Sequence, residues 1–260
     1  DNSSNIIFKG FDVVGNATGN FFQFQNNSHF GRVEDVSVRN GAASAILVNG
    51  SHNVTVNNFR STNTGTTPAI SVTNSLNTTL SNVTLRDFGN NAVAINIVNN
   101  SHGTKVINFD IDDSDNNYDT AVLISNSNNV TIQHGKIANF DVHGIVVDGD
   151  ASDNVTLDDI EIRVHPTATF GHGILLSNGP DEARITNIKA FGRGAAMYRA
   201  LQVDNNSQNI RVGNFHAENW EIGFFLQGAA TSVIDLGGNT FTAVGGQNAC
   251  DGNNNIDAMS

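Results

Sequence analysis

The chain has 260 residues, of which 38% are hydrophobic and only 15% are charged, and its formal net charge is −12 at pH 7. Contacts to nucleic-acid phosphates and anionic lipid headgroups require Lys and Arg, so 13 cations against 25 carboxylates argue against nucleic-acid binding and membrane attachment. No apolar run is long enough for membrane insertion, and the lone Cys250 excludes an internal disulfide.

A repeated unit dominates the sequence from residue 28 onward. Each unit opens with a polar turn, continues through an alternating strand such as VTV and a second short strand, and then reaches a variable loop. An apolar strand such as AISV or GIVV and an Asn, Asp or Gly turn complete the unit. In chain order the units span residues 28–50, 51–74, 75–100, 101–126, 127–150, 151–179, 180–206 and 207–229.

Three strands per unit and the near absence of helical periodicity predict an all-β fold, a right-handed parallel β-helix in which each unit forms one coil. With partial units at both ends, we expect about nine to ten coils. Residues 1–260 are predicted to form a single β-helix domain, either complete or an excerpt of a larger chain. Within it, residues 230–260 are expected to form an irregular last coil and tail.

Alternation within the strands predicts which side chains face solvent. In the first strand of each coil, the outward positions form a solvated row of Arg32, Thr55, Thr79, Lys105, Thr131, Thr156, Arg184 and Arg211. A Phe recurs at a similar place in most coils, which predicts an internal aromatic stack of Phe59, Phe88, Phe109, Phe140, Phe191, Phe215 and Phe241.

This repeat pattern resembles that of the pectate-lyase-like right-handed parallel β-helix superfamily over nearly the whole chain. The superfamily includes polysaccharide lyases, glycoside hydrolases, mannuronan epimerases, phage tailspikes and bacterial surface proteins. The resemblance implies the fold strongly and an activity only weakly. It also implies that a polysaccharide site would lie along the third strand of each coil and in the adjacent loops.

Polar side chains gather where the chain enters this third strand. Alignment of the coils places His143, His172 and Arg199 at equivalent positions on neighbouring strands, about 5 Å apart. Asp119 and Asp141 lie close by in the sequence. On an acidic polysaccharide, Arg199 would neutralise a sugar carboxylate and one of the histidines would transfer a proton. These five residues are the candidate catalytic set.

Two aromatic residues near the same edge, Tyr118 and Trp220, are candidates for stacking on sugar rings. The motifs of characterised enzymes are incomplete here. The run from Tyr118 to Thr120 lacks the Pro and His of the epimerase motif. Asp158-Asp159 followed by Gly171-His172-Gly173 resembles part of the polygalacturonase pattern, whose flanking N-T-D and R-I-K are absent.

The outward positions of the third strand are expected to be largely apolar, in the row Leu47, Ser71, Ala94, Leu123, Val146, Leu175, Gln202 and Phe225. An exposed apolar stripe on a protein usually marks a covered surface. A loop of this chain, at 63–68 or 165–170, a second subunit, or a sugar or lipid could cover it. For a subunit, which includes self-association, the interface residues would be Leu123, Val146, Leu175 and Phe225.

Oxygen-rich loops make Ca²⁺ a candidate ligand, although no cofactor is certain. Asp113, Asp115 and Asn117 are spaced like the start of a calcium-binding loop. The sixth position of that loop is Tyr118 rather than Gly, and no Glu follows at position twelve, so it is not an EF-hand. A second oxygen-rich run lies at 251–257.

Asn-x-Ser/Thr triplets are frequent and are candidate glycosylation sites if the chain is secreted by a host that modifies them. They include Asn49, Asn53, Asn77, Asn82, Asn129 and Asn154.

Two functional hypotheses follow. In the favoured one, the chain is a non-catalytic extracellular solenoid that serves as a structural or adhesive unit of a surface assembly, filament or virion spike, with an association with glycans. In the alternative, it is a secreted lyase, hydrolase or epimerase acting on an acidic polysaccharide. The sequence itself leans against an enzyme, because the enzyme motifs are incomplete.

Overall fold

The computed structural model describes residues 4–15, 19–41, 43–65, 67–89, 92–113, 118–168, 171–193, 198–204, 206–228, 231–242, 249–250 and 255–257, and at some strand positions only the backbone. All regular structure in these residues is β-strand. In chain order the strands are β1 (Ile7–Lys9), β2 (Asp12–Val14), β3 (Phe22–Gln25), β4 (Arg32–Gly41), β5 (Ile46–Asn49), β6 (Thr55–Thr64), β7 (Ile70–Thr73), β8 (Thr79–Phe88), β9 (Ala92–Val98), β10 (Lys105–Asp112), β11 (Tyr118–Ser125), β12 (Thr131–Phe140), β13 (His143–Asp148), β14 (Thr156–Val164), β15 (Gly171–Ser177), β16 (Arg184–Phe191), β17 (Tyr198–Asp204), β18 (Ile210–Glu218), β19 (Ile222–Gln227), β20 (Ser232–Asp235), β21 (Thr240–Thr242), β22 (Ala249–Cys250) and β23 (Asn255–Asp257).

The strands form two parallel sheets that wind together as a solenoid. Sheet A contains the even-numbered strands β4 to β18 as its centre, and sheet B contains the odd-numbered strands β3 to β19 together with β22. Every recorded pairing joins parallel strands of successive coils. The fold prediction is therefore confirmed, although the solenoid has about eight turns rather than nine to ten.

Each long strand of sheet A supplies two of the three predicted strands of a coil, because it bends near its beginning at a residue with positive φ. These corner residues are Asp35, Asn58, Asn82, Asn108, His134, Asp159, Asn187 and Asn214. Seven of the eight are Asn or Asp, and only His134 belongs to neither type. Asn and Asp tolerate the left-handed conformation better than other residues that carry a Cβ.

The register of sheet A confirms the predicted outward row from Arg32 to Arg211, whose members pair strand by strand. The predicted aromatic stack is wrong. Phe59, Phe109 and Phe215 share one buried row but are separated by smaller residues. The ring of Phe109 fills the space above Gly135, where a Cβ would lie 2.1 Å from the ring. Phe191 lies on the outside of sheet A, beneath Arg163.

A column of buried serines joins the turns that precede sheet A. In five successive steps, the backbone N–H of one serine donates to Oγ of the serine in the next coil, at 3.0–3.4 Å, along Ser28, Ser51, Ser75, Ser101, Ser127 and Ser152. Pro180 takes the next position of the repeat and has no N–H to donate. The column satisfies polar groups inside the solenoid and fixes the coils in register.

Candidate functional site

The outer face of sheet B carries three rows of side chains along the solenoid axis. The entry row contains Thr120, His143, His172, Arg199 and Ile222. The middle row contains Leu47, Ser71, Asn96, Leu123, Val146, Leu175, Gln202 and Phe225. The exit row includes Ser125, Asp148, Ser177, Asp204 and Gln227.

His143, His172 and Arg199 are neighbours in the entry row, as the sequence predicted. The middle row differs at one position, because Asn96 takes the place predicted for Ala94, which is fully buried. In β9 both Ala94 and Ile95 point inward, so the alternation shifts by one residue before Asn96. In β13, two consecutive inward residues, Gly144 and Ile145, likewise separate the entry row from the middle row.

The two candidate histidines form a direct pair. The Nδ1 atoms of His143 and His172 lie 3.0 Å apart, and their rings are stacked with centroids 5.0 Å apart. Burial lowers the pKa of His143 to about 4. Burial first, and then the charges of His143 and Arg199, lower the pKa of His172 to about 3. Both rings are therefore neutral at physiological pH and hold no proton that they could donate as imidazolium.

Arg199 is engaged with its neighbours on the same face. Its Nη1 donates to Oε1 of Gln202, and its guanidinium lies 3.9 Å from the centre of the Phe225 ring. Nε2 of Gln202 in turn donates to Oδ2 of Asp204 at 2.5 Å. Burial raises the pKa of Asp204, while the hydrogen bond from Gln202 and the charge of Arg199 act in the opposite direction.

Among the described residues of the exit row, Asp148 and Asp204 are the carboxylates, and neither was predicted from the sequence as a site residue. Asp148 accepts hydrogen bonds from Oγ of Ser177 at 2.8 Å and from Nδ2 of Asn178 at 2.6 Å. Both residues end a strand and read as turn residues in the sequence. Asp204 could have been found from the sequence by counting two residues on from Gln202, because both lie on β17 and alternate residues of a strand share a face.

Trp220 does not stack on sugar rings at this face, so that prediction is wrong. The side chain is fully buried, and its Nε1 donates to the backbone carbonyl of Ala190 at 2.9 Å. Gly173 and Gly192 make room for the indole, since a Cβ at Gly192 would lie 2.8 Å from the ring. Trp220 is thus a core residue.

The other members of the candidate catalytic set are less well placed. Asp141 is half-buried just before β13, and its charge raises the pKa of Tyr198, for which burial is the larger cause. Tyr118 and Asp119 belong to the backbone of β11, but their side chains lie outside the described residues. Asp158 and Asp159 lie on β14 in sheet A, whereas His172 lies in sheet B, so the polygalacturonase-like pattern does not form one site.

The middle row exposes less apolar surface than its sequence suggests. Val146 is 8% exposed, between the neighbouring residues Leu123 and Leu175, which are half-buried. Phe225 carries the Arg199 guanidinium on its face. The interface prediction for these four residues stays a prediction.

The calcium prediction rests on three residues, of which one is described. Asp113 is fully buried, and Asp115 and Asn117 lie outside the described residues. Within the described ranges, no three acidic, His or Cys side chains are grouped so that they could hold a metal ion.

The candidate glycosylation sites follow the geometry of the coil. Asn53, Asn77, Asn129 and Asn154 all have positive φ and occupy the same exposed turn position. The next residues of the repeat are an inward residue and an outward Thr, so the turn itself generates the Asn-x-Thr triplet. Nδ2 of Asn154 donates to Oδ1 of Asn129 at 2.6 Å. Asn82 is a corner residue, and Asn49 is exposed at the end of β5.

A family model described as a right-handed beta helix region matches residues 20–190. No curated protein sequence is detectably similar to the chain. In the part of the chain that the structure describes, no helix is long and apolar enough to span a membrane.

Several solved structures share the fold at low sequence identity. The catalytic domain of a GH87 alpha-1,3-glucanase in complex with nigerose aligns with a TM-score of 0.64 and 15% identity, over 96% of this chain and 58% of that chain. The Streptococcus pneumoniae surface adhesin PfbA aligns at 0.55 and 13%, over 94% and 71%. The A-module of the Azotobacter vinelandii mannuronan C-5 epimerase AlgE6 aligns at 0.51 and 9%, over 98% and 89%. The chain thus spans about three fifths of the glucanase domain.

Proposed function

The chain belongs to the right-handed β-helix family, and we propose that it is a non-catalytic extracellular solenoid that binds a glycan along sheet B as a structural or adhesive unit. One observation carries the proposal. On the outer face of sheet B, Leu123, Val146 and Leu175 form an apolar strip that is flanked on both sides by polar side chains of the entry and exit rows. A sugar ring has apolar C–H faces and a hydroxyl-lined edge, so it matches such a surface. Structural neighbours that include a surface adhesin and a glucanase domain support a carbohydrate-related role outside the cell.

The chemistry of the entry row favours binding over catalysis. Both histidines are neutral at physiological pH, and Arg199 is held by Gln202 and Phe225. A general acid must hold a proton near the working pH, which a histidine with a pKa of about 3 or 4 does not. These residues therefore suit hydrogen bonding to a ligand better than proton transfer.

The charge of the face favours a neutral glycan over an acidic one. Among the described side chains of the three rows, Arg199 is the single cation, and Asp148 and Asp204 are carboxylates. A polymer with a carboxylate on each sugar would need cations at a matching spacing and would instead meet like charge. A neutral glycan is therefore proposed in place of the acidic polysaccharide that the sequence suggested.

Binding by calorimetry tests the proposal. We expect the protein to bind a neutral glucose oligosaccharide from a panel of α- and β-linked tetrasaccharides, and to bind tetramannuronate more weakly. Leu175→Asp should weaken binding at least about tenfold, because it places a charge in the apolar strip. Thr131→Asp on sheet A is the matched control. Light scattering of the same samples shows whether Leu175→Asp instead disrupts self-association. No binding of any oligosaccharide would overturn the proposal.

A glycoside hydrolase is the second candidate, favoured by Asp204. This carboxyl has a raised pKa and lies two strands from Asp148, which gives a carboxyl separation of roughly 9–10 Å if the side chains extend in parallel. Inverting glycosidases use two carboxyl groups at about 6.5–9.5 Å. Chromatography of the calorimetry mixtures after long incubation distinguishes the two functions. Shorter oligosaccharides that disappear with Asp204→Asn would establish the hydrolase.

A further inference from the structure

A second column of side chains lies beside the buried serines, one residue further along each turn. The backbone N–H that follows each member donates to the carbonyl of the next member, in the order His29, His52, Leu76, His102, Asn128, Asp153, Asp181 and Gln208. We call these residues the turn column. Its three histidines all lie in the N-terminal half of the chain, and its two aspartates lie in the C-terminal half.

Each histidine of the turn column accepts a hydrogen bond at Nδ1 from the backbone of the next coil. The N–H of His52 donates to Nδ1 of His29 at 2.9 Å, and the N–H of Leu76 donates to Nδ1 of His52 at 2.9 Å. The N–H of Asn128 donates to Nδ1 of His102, also at 2.9 Å. A backbone N–H can only donate, so Nδ1 of each ring carries a lone pair and the proton of the neutral ring lies on Nε2.

The two aspartates of the turn column accept the same hydrogen bond through a carboxylate oxygen. The N–H of Asp181 donates to Oδ1 of Asp153 at 2.9 Å, and the N–H of Gln208 donates to Oδ1 of Asp181 at 2.6 Å. Burial raises the pKa of Asp181, and the hydrogen bond from Gln208 opposes that rise. A carboxyl group keeps an acceptor oxygen even when it is protonated, whereas a protonated imidazole has donors at both nitrogens. Acid therefore removes the acceptor from the histidines and not from the aspartates.

The neighbours of the three rings do not compensate a positive charge. The rings of His29 and His52 are stacked with centroids 4.8 Å apart, and burial, followed by the charge of His29, lowers the pKa of His52. Stability that depends on the neutral His52 ring is therefore present above pH 6.5 and is lost as the pH falls toward the lowered pKa. His102 lies between the uncharged Leu76 and Asn128 in the turn column.

The charged residues at the beginnings of the strands that follow these turns are cations, Arg32 on β4 and Lys105 on β10. Among the described residues, ion pairs between a histidine and a carboxylate occur at His134 and His216, and the three rings of the turn column form none. A proton on these rings is therefore not stabilised by an adjacent carboxylate.

We propose that protonation of His29, His52 and His102 breaks the side-chain hydrogen bonds between the coils of residues 28–128 and loosens this part of the solenoid in acid. A proton at Nδ1 places two N–H donors against each other, so each turn loses its connection to the next coil. The C-terminal coils keep the carboxyl acceptors of the turn column and stay closed. This response belongs to the solenoid itself and does not depend on glycan binding.

Nitrogen-15 NMR of protein labelled at histidine tests the hydrogen bonds at pH 8, because the two neutral tautomers have different chemical shifts. We expect the proton on Nε2 in His29, His52 and His102. His134 is the internal control, because its Nδ1 lies 2.8 Å from a carboxylate oxygen of Asp159, which can only accept, and its proton must therefore lie on Nδ1. A proton on Nδ1 in the three rings of the turn column would overturn the proposal.

Hydrogen exchange measured residue by residue at pH 7.5 and pH 5 tests the effect of acid, after correction for the intrinsic exchange rate at each pH. We expect the amides of His52, Leu76 and Asn128 to lose protection about tenfold at pH 5, the effect of losing one hydrogen bond. The amides of Asp181 and Gln208 should keep their protection. Equal loss at all five amides, or no loss at the first three, would overturn the proposal.

A double variant separates the histidines from other acid-sensitive groups. His52→Asp with His102→Asp supplies the acceptor that the aspartates of the turn column provide, so the amides of Leu76 and Asn128 should keep their protection at pH 5. His134→Asn, which copies the residue at most other corners of sheet A, should leave the pH dependence of the wild type unchanged. A double variant that lost protection in acid as the wild type does would show that the histidines are not the responsible groups.

Discussion

Burial makes His143 and His172 sensitive to acid. Their pKa values in the folded protein are about 4 and about 3, against an ordinary value of 6.5. At pH values between the folded pKa values and 6.5, the unfolded chain therefore binds more protons on these two rings than the folded protein does. Stability from the neutral pair is fully present above pH 6.5 and is lost as the pH falls toward the folded pKa values.

We expect the melting temperature to fall between pH 7 and pH 4.5, and His143→Gln with His172→Gln to flatten that fall. At pH 4.5, relative to pH 7, the loss attributable to the pair should be about 2 kcal/mol or more. The raised pKa of Asp204 changes stability with pH in the opposite direction. Asp204 is present in both the wild type and the double variant, so its effect cancels in the comparison. His134→Gln, at an exposed corner of sheet A, is the control. Parallel pH profiles for the double variant and wild type would contradict the burial argument.

At the residue scale, the sequence predicted which residues line up but not what they contact. The alternation of side chains along each strand and the sequence repeat placed His143, His172 and Arg199 in one row, because equivalent strands of successive coils pair with each other. The contacts of Arg199 with Gln202 and Phe225 depend on rotamers, and the inward turn of Trp220 depends on space left by Gly173. Neither leaves a periodic signal in the sequence.

At the scale of the coil, serines in the polar turns join successive coils by hydrogen bonds. Ser101 is fully buried, its Oγ donates to the carbonyl of Val98 at 2.7 Å, and its N–H donates to Oγ of Ser127 at 3.0 Å. A buried hydroxyl that both donates and accepts a hydrogen bond contributes to stability, and its loss leaves backbone groups without partners. The sequence marks these positions only as serines that open each repeat.

Replacing Ser101 by Ala should lower the free energy of unfolding by roughly 1–3 kcal/mol, because it leaves the N–H of Ser75 without its acceptor. Chemical denaturation measures the change. Ser71→Ala, at an outward position of β7, should change stability by no more than about 0.5 kcal/mol. Equal effects of the two substitutions would show that the buried column adds no stability of its own.

At the scale of the whole molecule, the coils are unequal. The central strands of sheet A run for eight to ten residues, and every inward side chain of β14 is buried. At the N-terminal end, β1 and β2 have three residues each, and Ile7 and Val14 are 56% and 59% exposed. Each coil in a solenoid contacts only its neighbours, so stability is a sum of local terms.

Opening should therefore begin in the terminal coils and reach the centre last. In hydrogen exchange followed by mass spectrometry, we expect amides of β10 to β16 to exchange most slowly and those of β1, β2 and β21 to exchange first. Leu157→Ala in β14 should cost about 2–5 kcal/mol and raise exchange across the central coils. Val13→Ala in β2, where the side chain is only half-buried, should leave the central coils unchanged. If both substitutions raised exchange equally in every strand, the solenoid would unfold as one cooperative unit, and the coils would be coupled more strongly than their nearest-neighbour contacts imply.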